Sequence, residues 1–142
     1  MRRRDFLGGS AAAVLLVAGA AAETAGEPRD AAAAAHRIHA HSRLLFVSGQ
    51  VPADAQGETP PHFAAQCRLA WRNLEAQLAA ADMRLEHLVK VTVFLARAED
   101  RRREREVRQA LLRRVARPSV SVVVTGIYDE AWRIEIEAIA LA

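Results

Sequence analysis

Cysteine is nearly absent: Cys67 is the single thiol in 142 residues. A lone cysteine excludes an internal disulfide and any multi-cysteine metal site. Aromatic residues make up only 5% of the chain, so no stacking platform of the kind that holds single-stranded nucleic acid is in view. A membrane span is also missing, because the longest apolar run, Ala11 to Ala22, is too short and too rich in small residues. Nor does one sign of charge dominate, since 20 Lys and Arg stand against 17 Asp and Glu. What the chain does have is apolar material, 51% of its residues, which at this length suits one domain.

The first residues, "MRRRDFLGGSAAAVLLVAGAAAETAG", run from a basic start through an apolar stretch to small residues. That is the build of a signal peptide. Arg3-Arg4-Asp5-Phe6-Leu7 looks like the twin-arginine export motif, R-R-x-F-L. No cysteine stands directly after the apolar run, which argues against a lipoprotein anchor. Residues 1–22 are expected to be a twin-arginine-type signal cleaved near Ala22, giving a periplasmic or otherwise exported protein with no stable membrane association. Cleavage removes three arginines and one aspartate, so the formal charge falls from +3 to +1. The sequence pI of 9.9 therefore overstates the working protein's basicity, and no nucleic-acid partner is expected.

Residues 23–35 are polar, then Ala-rich, without apolar periodicity, and read as a flexible lead-in. The domain is expected over 36–142. "HRIHAH" and "RLLFVSGQV" read as two short strands in a hairpin. "PADAQGETPP" is a loop by composition. From His62 to Met83, Phe63, Cys67, Trp71, Leu74 and Leu78 recur every three or four residues, with Ala70 between them. This is one face of an amphipathic helix, with Pro61 fitting its first turn.

Leu88 to Ala96 alternates as a strand, Val89, Val91, Val93 and Leu95 facing one way and Lys90, Thr92 and Phe94 the other. The charged segment after it carries a narrow stripe of Val107, Leu111 and Val115, with Ala110 beside it, and is a second helix. Pro118 ends that helix. "SVSVVVTGI" is a strand, "YDEAW" a turn, and "RIEIEAIALA" a last strand with Glu135 and Glu137 on one face and Ile134 and Ile136 on the other. The order β-β-α-β-α-β-β is an α+β domain with two helices on one face of a mixed sheet. The uncovered face needs a partner.

Ser48-Gly49-Gln50, Gly57-Glu58, Gln66 with Ala70, Asn73, Leu74 and Leu78, Lys90 with Thr92, Val93, Phe94 and Leu95, and Ile134 to Ala140 follow one another in the order and spacing of a known pattern. On these residues the chain resembles the RidA (YjgF) family. The resemblance implies a chorismate-mutase-like fold, a homotrimer, and small-molecule ligands in clefts between subunits. It implies hydrolysis of enamines and imines such as 2-aminoacrylate (2-iminopropanoate) to 2-keto acids and ammonia, with no metal and no organic cofactor. In that chemistry an arginine clamps the substrate carboxylate, and the first glutamate of I-E-I-E, here Glu135, positions the attacking water. Ser48, Gly49, Gln50 and Phe94 would line the cleft.

The arginine is where this sequence departs. The family strand reads P-A-R-S/T-x-V, and a gapless count from Ile134–Ala140 puts Pro118 on the proline and Val120 on the arginine. Arg117 lies three positions earlier, roughly 10 Å along an extended chain, and Arg105 stands near the family's second-helix asparagine. The tyrosine of the family's G-P-Y-S falls on Ala35. The expected protein is thus an arginine-lacking relative with an altered substrate or lost activity. A non-catalytic metabolite-binding trimer is the alternative, and an endoribonuclease-like role a weaker one.

His36, His39 and His41 read as solvated side chains, since no carboxylate or cysteine lies nearby to complete a zinc site. The arginines from Arg97 to Arg117 alternate with Glu99, Asp100, Glu104 and Glu106, the pattern of a salt-bridged helix face. Cys67 falls on the apolar helix face and reads as packing. Glu135 and Glu137 share a face that is either the site or a subunit interface.

Overall fold

A computed structural model describes residues 43–142. The expected export segment and lead-in, the expected strand at 36–41, Ala35 and the three histidines His36, His39 and His41 lie outside the described residues. Within them the order is β1 (Leu44–Gln50), α1 (Phe63–Ala80), β2 (Leu88–Leu95), α2 (Arg101–Leu112), β3 (Ser119–Val124) and β4 (Ile134–Leu141), with short 3-10 turns at Leu85–His87 and Ala98–Asp100. The sheet runs β1-β4-β2-β3. Only β2 and β3 are parallel, as a pair joined across α2 must be; the β1–β4 and β2–β4 pairs are antiparallel.

The period of α1 is realised as read: Phe63, Cys67, Ala70, Trp71, Leu74 and Leu78 are all buried. The helix starts one residue later than expected, because His62 is extended and acts as the N-cap. Pro61 therefore shapes the entry to the helix instead of its first turn. At the other end Asp82 takes a left-handed backbone, φ 53°, which aspartate tolerates. Its N–H bonds Ala79 O, and Met83 N–H bonds Leu78 O at 2.8 Å. These bonds absorb the last helical carbonyls and bring Met83 onto Leu78 in the core.

One face of the sheet supplies the rest of the core: Val91, Val93 and Leu95 from β2, and Ile134, Ile136, Ala138 and Ala140 from β4. The register of β2 on β4 is irregular between Leu88 and Lys90. That shift buries Leu88 and leaves Val89 half-buried, against the plain alternation read from sequence.

The second helix differs more. It ends at Leu112, so the four-residue stripe never reaches Val115, which is 48% exposed; Ala110 is exposed too. Its buried face is Glu104, Val107 and Leu112, with Leu111 packed against the core. Glu104 can be buried because Arg108 clamps its carboxylate at 2.7 and 3.4 Å, satisfying a charge that would otherwise be costly to bury.

Candidate functional site

On the face of the sheet away from the helices, three rows run across β4, β2 and β3. Strand register places Phe46, Ile139, Lys90 and Ser119 side by side across β1, β4, β2 and β3. Glu137, Thr92 and Ser121 form the next row, and Glu135, Phe94 and Val123 the third. The polar alternation of β4 thus puts both glutamates of I-E-I-E on one open surface, and β2 contributes its polar set to the same surface.

A β-bulge shapes the β1 edge. Val47 pairs with Ala138 and Gln50 with Ile136, so Ser48 and Gly49 together oppose Glu137. The extra residue re-aims the strand, as bulges do. Gln50 folds back and donates from Nε2 to Ser48 O at 3.0 Å. Gly49 is brought so close to Glu135 that a Cβ there would overlap Oε1 and stand 2.6 Å from Cδ. In this rotamer of Glu135 only glycine leaves room for the carboxylate.

Two amides on α1 hold the surrounding loops. Asn73 donates to Val51 O and Ala53 O at 2.8 and 2.9 Å, fixing the chain after β1. Gln66 donates to Pro60 O and Ala131 O and accepts from Arg133 N–H, each at 2.9 Å. Arg133 makes a two-pronged bond to the buried Asp100, 2.9 and 2.5 Å, and lies over the Phe63 ring. These contacts anchor the chain immediately before Ile134 and Glu135. The sequence pattern marked Gln66 and Asn73 as motif residues but gave no sign of these loop contacts. The Arg133–Asp100 pair joins residues distant in sequence.

The expected site residues do not all meet. Glu135, Gly49 and Phe94 come together on the open face, with Ser48 in the bulge and Gln50 bonded to it. Val120 does not join them. It registers with Val91, whose side chain is in the core, and packs half-buried against that core on the helix side. Arg117 is exposed and precedes β3; Arg105 is exposed on α2. Lys90, Thr92, Ser121 and Glu137 share the Glu135 surface, a grouping the alternation of each strand hinted at but only the register assembled.

Glu135 forms no ion pair with another described residue. Half-buried and free of a cation, its carboxylate can accept hydrogen bonds from a water or a ligand. Cys67 cannot serve as a nucleophile: burial, aided by the Glu104 charge, pushes its thiol up to about 12. Among the described residues no three His, Cys, Asp or Glu side chains gather to hold a metal ion, and no helix is long and apolar enough to cross a membrane.

Comparison with known proteins gives a consistent set of relatives. The Endoribonuclease L-PSP family matches residues 24–142. The Escherichia coli RutC family protein YjgH is 47% identical over 64 residues, 43% of this chain and 49% of that protein, so this match spans about half the relative's length. The E. coli 2-iminobutanoate/2-iminopropanoate deaminase is 32% identical over 101 residues, 69% of this chain and 79% of that protein. The crystal structure of the E. coli YjgF gene product superposes with a TM-score of 0.66 at 30% identity, covering 79% of this chain and 94% of that one.

Proposed function

The chain belongs to the Endoribonuclease L-PSP family, that of the RidA and YjgF proteins, and from that premise we propose that it handles small enamines or imines on the open face of its sheet. Glu135 is the residue that positions and deprotonates the attacking water. The observation that carries this reading is the Glu135 carboxylate itself, free of a protein cation and set against the side-chain-free Gly49. A general base must be within one hydrogen bond of its water, and glycine leaves that approach open.

The substrate differs from that of the related 2-iminobutanoate/2-iminopropanoate deaminase. Val120 occupies the arginine position by sequence count, and a valine packed on the core offers no carboxylate clamp. The preferred substrate therefore lacks a carboxylate next to the reacting carbon. The same observation favours a second reading, a binding protein that has lost hydrolysis. We infer further that the active form is a homotrimer with ligands between subunits, which would cover the exposed Phe46 and Leu44, and that residues 1–22 export it through the twin-arginine route.

One experiment separates the two functions. Mature protein is incubated with freshly generated 2-aminoacrylate and with uncharged imines, against Glu135→Ala. Faster release of carbonyl product from an uncharged imine, lost in Glu135→Ala, supports hydrolysis. Release no faster than buffer on every substrate leaves only binding. Light scattering tests the trimer, and loss of export in an Arg3→Lys, Arg4→Lys double variant tests the signal.

A further inference from the structure

Of the 20 basic residues in the chain, 19 are arginine and one is lysine, Lys90. That single lysine stands on the open face between Ile139 and Ser119. Its Nζ donates to Ser121 Oγ at 2.6 Å. Three described Lys or Arg residues are half-buried: Lys90, Arg108 and Arg133. Arg108 is clamped on Glu104 and Arg133 on Asp100. Lys90 alone of the three forms no ion pair with a described carboxylate.

Lys90 is half-buried as a residue, and its ammonium meets one hydroxyl dipole, that of the exposed Ser121, and no protein anion. Two of its three N–H groups remain for another acceptor. Ser121 accepts from Lys90 and keeps its own proton to donate. Two ammonium protons and one hydroxyl proton form a donor set for the two oxygens of a single carboxylate. One positive charge suits a monoanion. Ile139 beside Lys90 offers apolar surface for the ligand's carbon end.

We propose that Lys90 and Ser121 bind a small carboxylate anion on the open face of the sheet. The site is distinct from Glu135, whose strand partner Phe94 is four residues from Lys90 along β2, roughly 13 Å at the strand rise. It stands or falls independently of the hydrolysis proposed above.

The test is thermal unfolding of the full chain with acetate and with pyruvate, ionic strength held constant with NaCl. A ligand of the native state raises the Tm with concentration. Both anions are expected to raise it. Lys90→Met should increase the half-saturating concentration about tenfold, the scale of one charge-assisted contact. Ser121→Ala should give a smaller increase in the same direction, and Glu135→Gln none. No shift beyond the chloride control, or an unchanged response in Lys90→Met, overturns the proposal. A larger Lys90-dependent shift from inorganic phosphate than from acetate overturns the carboxylate assignment. A Lys90→Met protein with reduced mass by light scattering and an intact acetate response makes Lys90 an assembly contact and equally overturns it. Should Lys90→Met fail to fold, reductive methylation with 13C-formaldehyde labels the one lysine of the wild-type chain. Its dimethylammonium resonance must move on acetate addition, and a static resonance sinks the site.

Discussion

The carboxylate of Glu135 occupies the space that any side chain on Gly49 would need: a Cβ there would overlap Oε1 and lie 2.9 Å from Cγ. The two residues are therefore energetically coupled. Gly49→Ala should destabilise the protein by no more than about 1 kcal/mol, the scale of an off-rotamer side chain, because the unbonded Glu135 side chain can rotate away; denaturant unfolding measures it. In the Gly49→Ala, Glu135→Ala double variant most of that cost should disappear, because the clashing carboxylate is gone. Additive costs would show that the two do not touch. If Glu135 carries the chemistry, Gly49→Ala should also lower hydrolysis about 100-fold, the low end for a displaced general base.

Trp71 is fully buried at the centre of α1. Trp71→Ala should cost about 3–5 kcal/mol, among the largest effects of any single change. Its indole Nε1 has no acceptor among the described residues. Trp71→Phe, which removes that unpaired donor along with some volume, should cost only about 1–2 kcal/mol. Chemical unfolding of both variants checks the order.

The Arg133–Asp100 pair should be asymmetric under mutation. Asp100 is 7% exposed at the side chain and Arg133 21%. Arg133→Ala strands a buried carboxylate and should cost about 3–5 kcal/mol. Asp100→Ala leaves a longer side chain that can reach water, so its cost should be roughly half that. The double variant should cost less than the sum of the two.

Cys67 links stability to alkaline pH. Burial, with the Glu104 charge, pushes its thiol from 9.0 up to about 12. Above the unfolded value the unfolded chain loses the thiol proton while the native chain keeps it, so the native state binds more protons and stability falls as pH rises from about 9 to 12. The wild-type chain should therefore lose stability over this range more steeply than Cys67→Ala, by up to about 1.4 kcal/mol per pH unit. Native protein should also resist thiol reagents that label the unfolded chain fully.

Local pattern carried much of this protein. The buried face of α1, the strand character of β2 and β4, and the placing of Glu135 and Glu137 on one polar face all follow from spacing within a single element, where periodicity is set by backbone geometry alone. The order of family motifs carried the fold. The tertiary structure decided what spacing cannot express. Glu104 is buried because Arg108 reaches it, so a charged position became core while Val115 was left exposed beyond the helix end. Leu88 displaces Val89 from the core through a register irregularity. Val120 could be aligned by counting, but its side depends on pairing with Val91, and that pairing turns it toward the helices. The meeting of Gly49 with Glu135, and of Lys90 with Ser121, joins strands far apart in the chain. Such contacts are fixed by bulge and register, properties of paired strands that neither strand holds alone.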